Sequence, residues 1–345
     1  MAVSSKFKEL ATANGRHVRC RIRLGDRLYD DGSIIKFDLT DVSHPDWFTI
    51  GTTCSNVFSF KIVNDIEPPL HTTVRPYISF DVEEWAQLGV FYIARRIFRG
   101  KYATYVCYDK MNDLNVEITG KLTVSQTSTS SALLKAVCDR AEIEFKGEIE
   151  NHKTFLPPPD TTIKQIIGYI AALNCACAKF DKDGYLVFKK YSQMPSARLS
   201  AKNCFNVNLN ITRAAVTGLR ADTGTETLLY GDRDRMATLE LRNPFMTQSV
   251  LSTIGKRLSG LYFYGGEIDM QGLPFLDSGE FIQFEDADGS ITPIVTSEIA
   301  YHYDGALTAK LFSKNKYTNE PAGGRAEFED DIAKLWQRIN SIHGA

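Results

Sequence analysis

Val18-Arg19-Cys20-Arg21-Ile22-Arg23-Leu24 sets arginine at every second position between small or apolar residues. Successive side chains of a strand point to opposite faces, so this spacing predicts a half-buried strand with one wet face. Working outward, Asp31-Gly32 supplies a turn able to take positive φ, and Ile34 to Leu39 reads as a second strand. Val57-Phe58-Ser59-Phe60-Lys61-Ile62 alternates again. Tyr77 to Phe80, Leu88 to Ile97 and Tyr102 to Tyr108 are further strands, with Gly100 turning the last two into a hairpin. So many short strands predict a small barrel or sandwich, and residues 1–120 are assigned to a first β domain.

The periodicity then changes. A Ser/Thr run, Gln126 to Ser131, leads into Leu133, Leu134, Val137 and Ala141 at helical spacing. Pro157-Pro158-Pro159 breaks the chain, and Asp160 is read as the cap of a helix with Ile163, Ile166, Ile167, Ile170 and Leu173 on one face. A hairpin follows, Ala176 to Phe180 and Tyr185 to Phe188, turning at Asp183-Gly184. Residues 121–204 therefore read as a small α/β domain. Residues 205–318 return to β, with one helix from Thr247 to Ser259 carrying Val250, Leu251, Ile254 and Leu258. The expected class is α+β, mainly β: two β modules flanking a small α/β module, with a C-terminal helix.

That helix lies in residues 319–345, after the linker Pro321-Ala322-Gly323-Gly324. Phe328, Ile332, Leu335, Ile339 and Ile342 repeat at alternating spacings of four and three, placing Ile332 and Ile339 at a and the others at d of a heptad. Ile at both positions shifts preference from dimers towards trimers and tetramers. An amphipathic helix folded back on its own domain fits the pattern equally well.

The bulk numbers exclude some function classes. The 345 residues are 43% hydrophobic and 24% charged, as in ordinary folded domains, and the 11% aromatic content favours β structure. The net charge of −2 lacks the basic excess of a dedicated nucleic-acid binder. The seven cysteines are odd in number and scattered, with no CxxC pair, and are expected to be reduced and buried. Met1 to Leu10 holds no apolar signal core, and no window nears the ~20 apolar residues that span a bilayer. Synthesis in a reducing cytoplasm without membrane insertion is expected.

Catalytic constellations are missing from the sequence: it has no GxSxG, HExxH, Walker A or GxGxxG motif. None of the six histidines lies three or four residues from another, so no helical metal pair forms. Asp286-Ala287-Asp288-Gly289 mimics a calcium loop, but Ile294 stands where the ligating Glu is required, so an Asp-Gly turn explains it better. Glu83 and Glu84 would point to opposite faces of a strand and cannot flank one glycosidic bond. Arg95, Arg96, Arg99 and Lys101 interleave with Phe91, Tyr92 and Phe98; an exposed strand face or subunit interface suits them better than nucleic acid. No cofactor, metal or catalytic residue is assigned.

The order of modules, with three stretches of sequence, resembles the hub proteins of tailed-phage baseplates, including the N-terminal module of siphophage tail-associated lysins and the prophage tail endopeptidase family. Trp85-Ala86-Gln87-Leu88-Gly89-Val90-Phe91-Tyr92-Ile93, followed by Ala103 to Met111, resembles a W-x-x-L-G-x-F-x-I pattern and its following strand. Thr162 to Ala178 with Asp183 to Phe188 resembles a T-x-x-x-x-x-G-Y-I-A helix leading to D-G-x-L-x-F. Asn243-Pro244-Phe245-Met246-Thr247 and Gly272 to Gly279 resemble N-P-F-M-T and G-x-P-x-L-x-x-G; Gly265 replaces a frequent Pro and Glu280 a frequent Asp. The resemblance implies a non-enzymatic structural protein at the virion tail tip. In such a hub the two modules flanking the α/β module are tube-like β-barrel modules, and a homotrimeric ring of six such barrels adapts a sixfold tail tube to a threefold tip and leaves a channel for DNA or the tape measure protein. Its partners would be the distal tail protein or tail-tube ring, a spike or fibre or other baseplate proteins, and the tape measure protein, with DNA only in transit. In a trimer the heptad helices could meet on the axis. Two alternatives are a carbohydrate- or receptor-binding tail-tip module, with Trp47-Phe48 and Tyr262-Phe263-Tyr264 as stacking platforms, and a peptidoglycan-degrading tail endopeptidase.

Overall fold

The computed structural model describes residues 3–63, 67–80, 84–118, 127–158, 160–192, 194–232 and 238–315. The alternations seen in the sequence fold as strands with one dry face. In Arg19–Leu24 the residues Cys20, Ile22 and Leu24 point inward, and in Val57–Val63 so do Phe58, Phe60 and Ile62. Among the described residues twelve strands join in one sheet. Its order runs Cys204–Ala215, Tyr262–Gln271, Leu307–Ser313, Glu298–Tyr303, Ile34–Val42, Val57–Val63, Tyr102–Tyr108, Phe91–Arg99, Thr73–Ser79, Arg19–Leu24 and Arg27–Asp30, with Ala86–Gln87 added beside Thr73–Ser79.

The mainly β, α+β class holds, but the two separate barrels do not. Among the described residues neither β region closes on itself. A first barrel would need the Arg19–Asp30 hairpin to bond to Ile34–Val42. Both edges of that strand are already taken, one by Val57–Val63 and the other by Glu298–Tyr303. The antiparallel seam with Glu298–Tyr303 fuses the N-terminal and C-terminal β regions into a single sheet. It sets Tyr303 opposite Phe37, their rings stacked 5.2 Å apart.

Among the described residues four α-helices pack beside the strands: Ser5–Thr12, Ser130–Ala141, Ile163–Leu173 and Gln248–Leu258. The apolar face of Ile163–Leu173 is buried as its spacing predicts, but its cap is Thr162 rather than Asp160. Thr162 and Gln165 satisfy each other's backbone N–H groups in a capping box. This helix meets the chain at Gly51 by direct backbone contact: a Cβ on Gly168 would lie 2.6 Å from the Gly51 carbonyl oxygen.

The buried side chains form two clusters. One fills the large sheet with residues from Phe7 to Leu311, including Phe37, Phe58, Phe60, Tyr105 and Tyr303. The other gathers the Ile163–Leu173, Ser130–Ala141 and Gln248–Leu258 helices around Phe48, Phe245 and Phe263.

Candidate functional site

Three stretches distant in sequence meet in a buried ionic junction. Asp41 is the penultimate residue of the strand Ile34–Val42, Lys179 lies on Ala176–Phe180, and Asp277 and Ser278 precede Phe281–Glu285. Lys179 Nζ donates to Asp41 Oδ1 at 2.5 Å and to Ser278 Oγ at 2.8 Å. The Ser278 N–H donates to Asp41 Oδ2 at 2.8 Å, and the Ser278 and Ser43 hydroxyls are 2.7 Å apart. Asp277 is clamped by Lys182 at 2.6 Å and Lys189 at 2.9 Å, and Lys189 also reaches Glu280 at 3.3 Å.

Burial alone would raise both carboxyls, but the facing lysines hold Asp41 and Asp277 below the usual carboxylate range. Burial alone would lower Lys179, but Asp41 and Asp277 hold it above the usual amine range. Lys179 is therefore an ammonium. Its distance from Ser278 is that of a nucleophile–base pair, yet a protonated lysine has no lone pair to accept the hydroxyl proton, and Ser278 is fully buried. The arrangement binds parts of the chain to one another rather than to a substrate. Nearby, burial and then the Lys179 and Lys314 charges push His44 down to about 3, and its Nε2 lies 2.6 Å from the Tyr191 hydroxyl. Burial lifts Asp109 to about 6, although it accepts from Ser55 Oγ, Asn56 N–H and Met111 N–H.

The surface offers a different feature. Cys204–Ala215 is a twelve-residue strand at the end of the sheet, bonded only to Tyr262–Gln271 among the described residues. It exposes Phe205, Val207 and Ile211, the last 98% accessible, and carries one charge, Arg213. At the other end the edge is Arg27–Asp30, which exposes Leu28. Natural sheets protect such edges with charge, brevity or a covering element.

The residues singled out in the sequence fall as follows. The heptad stripe Phe328, Ile332, Leu335, Ile339 and Ile342 and the carboxyl of Glu83 lie outside the described residues. Glu84 accepts the Ser4 N–H at 2.9 Å and the Ser4 hydroxyl at the start of the Ser5–Thr12 helix. Trp85 lies beneath Arg19 and Arg21, the Arg21 guanidinium 4.1 Å from its ring centre. Arg96 donates to the Pro68 carbonyl. Phe48 and Phe263 are buried ring-to-edge against each other, so neither offers an open face for stacking, while the Arg213 guanidinium lies 5.4 Å from the Tyr262 ring centre. Gly289 takes φ +84° in the turn at Asp286–Gly289. The described residues contain no cluster of three or more His, Cys, Asp or Glu able to hold a metal, and no helix among them is long and apolar enough to cross a membrane. The junction went unread, though one signal existed: Lys179 is the lone charge in Ala176–Phe180, where all five positions are buried.

No family model matches the sequence, and no curated protein does. Solved structures do match in fold. A tail protein from Neisseria meningitidis MC58 is 16% identical with a TM-score of 0.58, over 86% of this chain and 96% of that one. The 43 kDa tail protein of prophage MuSo2 from Shewanella oneidensis is 13% identical with a TM-score of 0.56, over 86% and 98%. Prophage tail protein gp18 from Listeria monocytogenes EGD-e is 10% identical with a TM-score of 0.53, over 93% and 99%. The chain thus shares its fold with prophage tail proteins along nearly its whole described length.

Proposed function

We propose that the chain is a structural hub of a phage tail or tail-like particle, a homotrimeric ring that adapts a sixfold tail tube to a threefold tip. The observation that carries this reading is the fold shared with three tail proteins, two of them from prophages, over 86% to 93% of this chain. The architecture is consistent with it. Each chain presents two β regions welded side by side by the Glu298–Tyr303 seam, so three copies present six. The junction of Asp41, Lys179 and Asp277 ties the α/β region to both, as a stiff ring component requires.

In this reading the heptad residues Phe328, Ile332, Leu335, Ile339 and Ile342 meet on the threefold axis, next to a spike or fibre. The distal tail protein or tube ring sits above, and DNA and the tape measure protein pass through the channel. The role is architectural rather than catalytic, in keeping with a protonated Lys179 beside a buried Ser278. Negative-stain electron microscopy of the purified protein, classified without imposed symmetry, tests this. A threefold ring with a central channel is expected; a compact particle of one copy at high concentration overturns it.

A further inference from the structure

The dry face of the large sheet runs out onto an edge strand that leaves it uncovered. In Tyr262–Gln271 the residues Ile268 and Met270 are fully buried. Val207 of the edge strand stands directly opposite Ile268 and so shares its face, yet it is exposed. Phe205 and Ile211 are more exposed still, and Leu209 packs only partly against the core. Among the described residues no element covers this apolar ledge.

The chain leaves the described residues beside the same strand. Ser313 pairs with Gly266, whose other side pairs with Leu209. Two residues on, the side chains of Asn315 and Asn210 converge over Gly265, where a Cβ would lie 2.6 and 2.9 Å from their amide nitrogens. Residues 316–345 therefore start one strand in from the edge, at the end that carries Ile211 and Arg213. Residues 316–327 reach about 40 Å when extended. The stripe of Phe328, Ile332, Leu335, Ile339 and Ile342 would run about 22 Å as a helix. Phe205 to Ile211 spans about 20 Å as a strand. Charge sets the direction: Arg213, the strand's one charge, stands opposite Tyr264 at the exit end, and the stripe begins among Glu327, Glu329, Asp330 and Asp331.

We infer that, before the chain meets other copies, residues 328–342 lie as a helix along its own Cys204–Ala215 strand, the stripe over Val207, Leu209 and Ile211 and the acidic turn beside Arg213. The open edge is then covered, and a helix too short to stand alone in water gains a surface. One stripe cannot serve the edge and a threefold axis at once. In the ring reading, assembly draws the stripe away and bares the edge; the inference itself needs only the single chain.

Hydrogen exchange of the full chain, read by mass spectrometry over a concentration series followed by sedimentation velocity, tests this. The variants are Ile211→Lys, Arg213→Glu and Leu335→Lys. In wild type the amides of residues 328–342 are expected to be protected to the same degree at every concentration. Ile211→Lys and Leu335→Lys should each reduce that protection roughly tenfold, as loss of one buried apolar side chain does. Arg213→Glu should reduce it less. Lys equals Leu in helix propensity, so Leu335→Lys acts on docking rather than on the helix. Ile211 is 98% accessible, so its substitution leaves exchange in the sheet unchanged, which separates lost docking from lost fold. Unprotected amides in wild type, or protection indifferent to Ile211→Lys, overturn the inference. Protection that grows only as copies associate makes another copy the occupant and also overturns it, while the ring reading stands. Protection as expected, with no threefold ring in the micrographs, removes the ring reading alone.

Discussion

Lys179 shows how one buried charge can hold distant segments in register. Its side chain is 4% exposed and Asp41's is 10%, so their attraction is little screened and neither can turn to water. Lys179→Met leaves Asp41 without its counter-charge in the interior, an imbalance expected to cost roughly 3–5 kcal/mol. Removing both in Lys179→Met/Asp41→Leu should cost less than the sum of the two single changes, which urea midpoints of the four proteins measure directly. The acid response of the same region follows from opposing residues. His44 is neutral in the fold down to about 3, so between pH 6.5 and 3 the unfolded chain holds the extra proton and stability falls as pH falls. Asp109 takes its proton at about 6 in the fold, above its unfolded value near 4, so stability rises as pH falls from 6 to 4. Each slope reaches about 1.4 kcal/mol per pH unit, and in this window they offset. His44→Gln removes one of them. Its stability relative to wild type should therefore increase on going from pH 6 to pH 4; parallel curves for the two proteins would refute the assignment.

Elements were legible where their own residues carry the reason for them, and illegible where the reason lies elsewhere in the chain. Ile163, Ile166, Ile167 and Ile170 announce a helix because a 3.6-residue period needs no partner to be seen. Its capping box was there to read as Thr162 and Gln165, but Asp160 after three prolines drew the boundary two residues early. The Ser5–Thr12 helix escaped notice because it buries only Phe7 and Ala11, and it docks through Phe80 and Glu84, which lie far along the sequence. The seam between Ile34–Val42 and Glu298–Tyr303 escaped for a similar reason. Alternation tells which face of a strand is dry but not which strand lies beside it. Gly168 belongs to this second kind. In the sequence it interrupts an apolar helix, while in the fold it allows backbone contact with Gly51. Gly168→Ala improves helix propensity by up to ~1 kcal/mol. Its methyl would stand 2.6 Å from a backbone oxygen, and forced overpacking of this kind costs typically 1–3 kcal/mol. The second effect wins, so a lower thermal midpoint is expected, and a midpoint above wild type would show that the helix can shift away from Gly51.

At the scale of the molecule, the continuous sheet makes the two ends of the sequence one mechanical unit. The core beneath it joins Phe37 and Phe58 from the N-terminal β region to Tyr303 and Leu311 from the C-terminal one. The hub role proposed above would require the chain to pass force from the tip to the tube, and two β domains on a flexible link would absorb that force by rotating. A seam of paired backbone with stacked Phe37 and Tyr303 rings does not rotate without breaking. Cooperative melting is the thermodynamic side of this stiffness. Phe37→Ala opens a cavity at the seam and should cost roughly 3–5 kcal/mol, and Leu311→Ala roughly 2–5 kcal/mol. Although these residues lie 274 positions apart, both changes should lower one and the same calorimetric transition, because neither β region keeps its core without the other. If Phe37→Ala instead splits off an early transition and leaves the main one in place, the N-terminal strands unfold on their own, and the seam is a contact between independent domains rather than the spine of one rigid unit.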